Sequence, residues 1–110
     1  MQSTQNISVN STVLSQAKQY IDACNAHGIW VTNAILFGSQ VNGNTTPYSD
    51  IDLLIVSSSF NDNTLENWKL LSPITAKFYQ IEPHPYPISH FTAGDPFVDE
   101  IKKNGIEIHA

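Results

Sequence analysis

Asp50 and Asp52 stand on either side of Ile51 at the mouth of Ile51-Asp52-Leu53-Leu54-Ile55-Val56, one of the most apolar runs in the chain. A continuous apolar run of this length reads as a strand covered on both faces. Residues two apart on a strand project to the same side, with Cα atoms roughly 6 to 7 Å apart, so the two carboxylates are expected to share one site. Keeping both ionised at the edge of a buried strand is unfavourable without a counter-charge, and the chain contains no arginine. A divalent cation answers that need. Mg²⁺ takes about six oxygens at roughly 2.0 to 2.1 Å, commonly two carboxylates together with water and substrate phosphate.

Gly38-Ser39 supplies the second half of the chemistry. It follows the apolar run from Ile29 to Phe37, where a glycine lets backbone approach a phosphate closely. A short helix beginning at Ser39 would aim free N–H groups and its positive end at the anion. ATP carried by Mg²⁺ fits both halves. Taken alone, Gly38-Ser39 is an ordinary strand-to-helix turn, and Ser49-Asp50 an ordinary polar turn. Asp52, lying inside the apolar run, fits neither description.

The elements that must hold these residues follow from periodicity and punctuation. Val13, Leu14, Ala17, Tyr20, Ile21 and Cys24 recur at helical spacing from Ser11 to His27, with Gly28 as a stop. Ile29 to Phe37 reads as a strand, residues 42–49 as a turn and Ile51 to Val56 as a second strand. Asn63, with Glu66 three residues on, opens a helix whose Leu65, Trp68, Leu70 and Leu71 are expected to face the core, and Pro73 is expected to end it. Lys77 to Glu82 reads as a strand closed by Pro83, and residues 83–87, Pro-His-Pro-Tyr-Pro, as an extended loop. Asp95 as N-cap, Pro96, the acidic start Asp99-Glu100, the basic end Lys102-Lys103 and Gly105 define a last helix. Ile106 and Ile108 form a short closing strand. The order implies a small α/β (α+β) domain, a mixed sheet with helices packed on it. Trp30 and Trp68 are assigned to the core. His84 falls in the 83–87 loop and is read as solvated, and neither His84 with His90 nor His27 with Cys24 makes a convincing metal site.

The stretch GSQVNGNTTPYSDIDLLIV, residues 38–56, resembles the G-S, ten or so residues, D-x-D signature of the DNA polymerase beta-type nucleotidyltransferases, and in particular their minimal stand-alone members. The preceding helix and strand and the closing DPFVDEIKKNGIEIH are similar as well. The resemblance implies a nucleotidyltransferase domain over residues 11–110, after a poorly ordered segment 1–10. It implies transfer of a nucleoside monophosphate, AMP from ATP, to an acceptor hydroxyl with two Mg²⁺ ions. Asp50 and Asp52 match the family's metal ligands, and Glu82 is the candidate for the third acidic ligand on a later strand. Gly38, Ser39 and Gln40 match its nucleotide-binding turn, with Gln40 standing where many members carry arginine. It further implies a protein partner, a small helical HEPN-type toxin for which this chain acts as antitoxin, or a homo-oligomer. The alternative is an inactive nucleotide-binding or antitoxin subunit that works by masking its partner.

Composition narrows the field around that reading. With 110 residues, 41% hydrophobic and 14% charged, the chain has room for one core and not two. A net charge of −5, with five lysines and ten carboxylates, is a poor footprint for extended nucleic acid. No apolar stretch approaches the roughly 20 residues of a membrane helix, and Met1 to Ser11 lacks the features of a signal peptide. Cys24 is the only cysteine, so no internal disulfide can form, and a reducing cytoplasmic setting is expected.

Overall fold

The computed structural model describes residues 10–42 and 49–109. Helix α1 (Ser11–Ala26) leads into strand β1 (Val31–Phe37), the single turn α2 (Ser39–Asn42) and strand β2 (Ile51–Ser57). Helix α3 (Thr64–Thr75) then carries the chain to strand β3 (Ile81–Tyr86), followed by α4 (Ile88–Ala93), α5 (Pro96–Asn104) and a two-residue β4 (Ile106–Glu107). Of the expected poorly ordered segment 1–10, only Asn10 is described, and its Oδ1 accepts from Thr12 N–H at 2.7 Å to cap α1. The expected turn 42–49 lies mostly outside the described residues.

The four strands form one mixed sheet in the order β3-β2-β1-β4. β1 runs antiparallel to β2 and β4, while β2 and β3 are parallel. A parallel pair needs a crossover, and α3 provides it. Strand alternation then sorts the side chains between two faces. Ala34 and Leu36, Ile51, Leu53 and Ile55, and Ile81 join Ala17, Tyr20 and Cys24 of α1 and Leu71 and Ile74 of α3 in the main core. Ile35, Leu54 and Val56 point the other way, onto Ile101 of α5 and Phe91 of α4. The sheet is therefore covered on both sides, the condition that favours an almost unbroken apolar β2. Asp52 is the member of that strand, from Ile51 through Ser57, that is not buried.

Several elements differ from the sequence-based expectation. β3 is not closed by Pro83: it runs through Pro83 and Pro85, paired with Leu53 and Ile55. β3 is an edge strand, so alternate residues turn their N–H positions away from the sheet, and proline at 83 and 85 forfeits no ladder bond. Residues 77–80 are turn rather than strand. Pro73 does not end α3 but sits in its last turn. The helix also presents a different face: Asn67, Leu71 and Ile74 are buried, while Leu65, Trp68 and Leu70 are exposed. Asn67 holds that inward position by giving Nδ2–H to Asn61 O at 2.8 Å and accepting from Asn61 N–H at 3.0 Å. Trp30 precedes β1 and is 68% exposed, so it is not a core residue. Asn63 caps α3 through Glu66 N–H at 3.1 Å, but the Glu66 carboxylate accepts from Asn61 Nδ2 instead of closing the reciprocal half of the box. Asp95, Pro96 and the basic last turn of α5 are as expected, with Asp95 Oδ1 accepting from Val98 N–H at 2.7 Å. Among the described residues no helix is long and apolar enough to cross a membrane.

Candidate functional site

The parity that buries Leu54 and Val56 puts Asp52 on the same face, near the start of β2, where it stays partly exposed. Its register neighbours are Phe37 on one side and Glu82 on the other. Because β2 and β3 are parallel and in register here, Asp52 and Glu82 project side by side, and His84 follows Glu82 on that face two residues on. His84 Nε2 lies 3.2 Å from Asp52 Oδ1 and 3.7 Å from Glu82 Oε2. One ligand atom from each of Asp52, Glu82 and His84 can be chosen so that all lie within 4.8 Å of one another. Asp52 and His84 keep about a quarter of their side-chain surface exposed and Glu82 45%, so the cluster opens to solvent.

Gly38 closes the site from the β1 side. It has φ +80°, a left-handed conformation that glycine adopts freely. A Cβ placed there would collide with Asp52 Oδ2 and lie 3.3 Å from Asp52 Cγ. The missing side chain is what lets Asp52 stand against the turn. Ser39 then begins α2, and Gln40 gives Nε2–H to Asp50 O at 3.3 Å, tying that turn to the residue before β2.

Of the residues singled out in the sequence, Asp52, Glu82 and Gly38 are brought into one cluster, with Ser39 and Gln40 on the adjoining turn. Asp50 lies one residue outside β2 and is exposed, and its carboxylate is not part of the Asp52–Glu82–His84 group. Its backbone is fixed nonetheless, between Gln40 and the Ile51 N–H bond to Gln80 O at 2.7 Å. His84 is the residue that sequence reasoning set aside as a solvated loop histidine. Strand β3 extends past Pro83, so His84 becomes a strand residue two positions beyond Glu82, and that spacing was the available signal.

Aromatic rings wall the cluster. Phe37 meets the His84 ring edge to face at 4.9 Å between centroids, and Phe97 packs on Phe37 at 5.8 Å and lies 6.3 Å from His84. A concavity of about 410 Å³ beside Gly38 is bounded by Phe37, Val41, Phe97, Asn104 and Gly105. A second, of about 240 Å³, runs between α3 and the outer edge of β3, past Trp68, His84, Tyr86 and His90. At its far end His90 Nε2 and Asp95 Oδ2 are 2.6 Å apart. The Val98 N–H bond and then the His90 bond hold the Asp95 carboxyl below its usual range. Burial, with the Asp95 charge behind it, raises the Tyr86 hydroxyl.

The donor set suits a divalent cation. Two carboxylates and an imidazole converge, Gly38 leaves the space at Asp52 free of a side chain, and no lysine is ion-paired to Asp52 or Glu82 among the described residues.

Comparison with known proteins agrees with this architecture. A family model described as a nucleotidyltransferase domain matches residues 17–108. No curated protein matches the chain significantly. Among solved structures, the fold is shared with a protein from Sulfolobus solfataricus assigned to the nucleotidyltransferases, at TM-score 0.64 and 17% identity over 87% of this chain and 78% of that one. It is shared also with a toxin–antitoxin solved with AMP-PNP, at TM-score 0.59 and 14% identity over 88% of this chain and 73% of that one. With the glycine turn, the D-x-D strand and the neighbouring acidic strand all inside the matched region, the chain belongs to the nucleotidyltransferase domain family.

Proposed function

We propose that the chain transfers a nucleoside monophosphate, AMP from ATP, to an acceptor hydroxyl in an Mg²⁺-dependent reaction. The observation that carries this reading is the juxtaposition of Gly38 with Asp52 and of Asp52 with Glu82: a side-chain-free turn beside two converging carboxylates. Asp52, Glu82 and Asp50 are the residues that would hold magnesium, Asp50 by a side-chain rotation from its exposed position. The metal supplies charge neutralisation on the phosphates and in-line orientation of the reacting oxygens. That role falls to a metal because neither arginine nor an ion-paired lysine is at hand.

The protein's own groups do the rest. Gly38 and Ser39 present backbone N–H groups and a hydroxyl to the phosphates. The adjoining concavity, with Phe37, Val41 and Phe97 as apolar walls, receives the nucleoside. The acceptor oxygen forms a bond to the α-phosphorus as the bond to pyrophosphate breaks, and the acceptor's proton passes to Glu82, the most exposed carboxylate of the cluster. The acceptor is carried by a protein partner, with this chain as antitoxin to a small helical HEPN-type toxin in the cytoplasm. The likeness of the fold to a toxin–antitoxin solved with AMP-PNP supports the pairing with a toxin and the use of an adenine nucleotide, and the HEPN type of that toxin rests on the family resemblance alone. A masking role without catalysis is the second reading, favoured by Gln40 in the nucleotide turn and by the exposed Trp30, Leu65 and Tyr79, at 68%, 64% and 89%.

The deciding experiment incubates the chain with α-labelled ATP, Mg²⁺ and its co-purifying partner, comparing wild type with Asp50→Asn and Asp52→Asn. Label on the partner with wild type alone supports transfer. No label in any sample, with partner binding intact in all three, supports masking.

A further inference from the structure

The family signature accounts for the carboxylates of the cluster but not for His84, whose imidazole nitrogen is its third converging atom. Two ligands held about 2.1 Å from one ion lie roughly 3.0 Å apart at a right angle and roughly 3.4 Å apart at a tetrahedral angle. The observed separation of 3.2 Å from His84 Nε2 to Asp52 falls inside that range, and the 3.7 Å to Glu82 lies slightly beyond its upper end, within reach of a small side-chain adjustment. The ring is also held in place before any ion arrives. Its strand position aims it along the same face as Glu82, and Phe37 packs against it at 4.9 Å. Of the other histidines none joins the two carboxylates: His27 Nδ1 sits 3.0 Å from Ala23 O, His90 shares a concavity with His84 but is engaged with Asp95, and His109 lies beside Asn33 and Ala34.

We infer that His84 Nε2 is a direct ligand of the ion held by Asp52 and Glu82, and that it tunes the site toward late first-row divalent ions such as Co²⁺ and Zn²⁺ relative to Mg²⁺. The inference rests on the metal site proposed above and deepens it. An all-oxygen set is what Mg²⁺ accepts, whereas imidazole suits the borderline ions. Two carboxylates and one imidazole leave coordination positions open for water and phosphate oxygens, so the nitrogen ligand is compatible with a substrate-bearing site. Ligation uses the Nε2 lone pair and leaves the ring's proton on Nδ1. His84 thereby sets which ion the site prefers, while the carboxylates set whether it binds one at all.

The test measures binding of Co²⁺ and of Mg²⁺, each alone, by calorimetry on wild type and His84→Gln, with the Co²⁺ visible spectrum recorded in parallel. Loss of the imidazole is expected to weaken Co²⁺ about tenfold or more and Mg²⁺ only about threefold or less, with a change in the Co²⁺ spectrum. An unchanged Co²⁺-to-Mg²⁺ affinity ratio with both ions still bound overturns the role of His84 and leaves the carboxylate site standing. Binding of neither ion by wild type removes the site itself. Should the variant fold poorly, nitrogen NMR of wild type with added Zn²⁺ decides: a ligation shift at His84 Nε2 supports the inference, and an unmoved Nε2 on the zinc-bound protein sinks it.

Discussion

Gly38 and Asp52 are in contact across the β1–β2 pair so closely that a methyl group on Gly38 would overlap the Asp52 carboxylate. The contact arises because Phe37, the last residue of β1, is the register partner of Asp52, and the chain turns at the next residue with φ +80°. Gly38→Ala therefore carries two penalties. The left-handed backbone costs about 1–2 kcal/mol for a residue with a Cβ, and the Asp52 carboxylate must leave its present position beside the turn. That movement is away from the β1 side of the site, and displacement of a catalytic group by about 1 Å can cost on the order of a hundredfold in rate. Gly38→Ala is expected to melt several degrees lower than wild type and to lose transfer activity by about that factor, as read by differential scanning calorimetry and the labelled-ATP assay.

Asp52→Asn separates binding from folding. In the absence of metal, Asp52 contributes one partly exposed contact with His84 and a like-charge neighbour in Glu82, two effects that oppose each other. The metal-free variant is expected to match wild type within about 1 kcal/mol. Wild type, by contrast, gains about 2.7 kcal/mol when a divalent ion is supplied at a hundred times its Kd. Thermal melts with and without Mg²⁺ should show an upward shift in wild type and none in Asp52→Asn. An equal shift in both would move the ion elsewhere.

The part of this site that could be read from the sequence is the part where local pattern and tertiary structure agree. Asp52 stands out because a carboxylate interrupts an apolar strand, and α5 because its caps satisfy its own ends without reference to the rest of the fold. The parts that could not be read depend on which strand lies at the edge. Pro83 and Pro85 would end a central strand, and only the order β3-β2-β1-β4 makes them harmless. With that strand misplaced, His84 could not be aligned with Glu82. Trp68 departs from its expected place for a similar reason: Asn67 is polar and yet buried, because Asn61 satisfies both ends of its amide, and the whole apolar stripe of α3 turns accordingly.

Asp95 is a cap with a second duty, holding Val98 N–H through Oδ1 and His90 through Oδ2. Both contacts favour the ionised carboxylate, and its pKa is lowered from the ordinary 3.8. A group whose folded pKa is depressed contributes stability above its unfolded value and loses it as pH falls through the folded one. Asp95→Ala is therefore expected to lower the melting temperature by several degrees at neutral pH. The gap between variant and wild type should close as the pH drops below about 4. A gap that persists at acid pH would mean that the carboxylate charge contributes nothing.

Tyr20 and Cys24 lie one turn apart on α1, both fully buried against the sheet. Thr75 Oγ1 gives its proton to Leu71 O at 3.0 Å, so Tyr20 Oη, 2.8 Å away, must be the donor in their bond. Burial raises the Tyr20 hydroxyl above its ordinary 10.0 and pushes the Cys24 thiol from 9.0 up to about 12. A raised folded pKa means that the folded protein keeps a proton the unfolded chain releases. The contribution is then complete below the unfolded value and is lost as pH rises through the window toward the folded one. Stability is expected to hold up to about pH 8 and to fall above pH 9, with each group contributing at most about 1.4 kcal/mol per pH unit. Cys24→Ala should flatten the first part of that fall, between pH 9 and the onset of tyrosine ionisation, and Tyr20→Phe the later part. The thiol provides an independent check: at pH 8 it should react with Ellman's reagent only at the rate of unfolding, since neither the thiolate nor an open path to it exists in the folded chain. Rapid stoichiometric reaction of native protein would show that α1 opens from the sheet on its own.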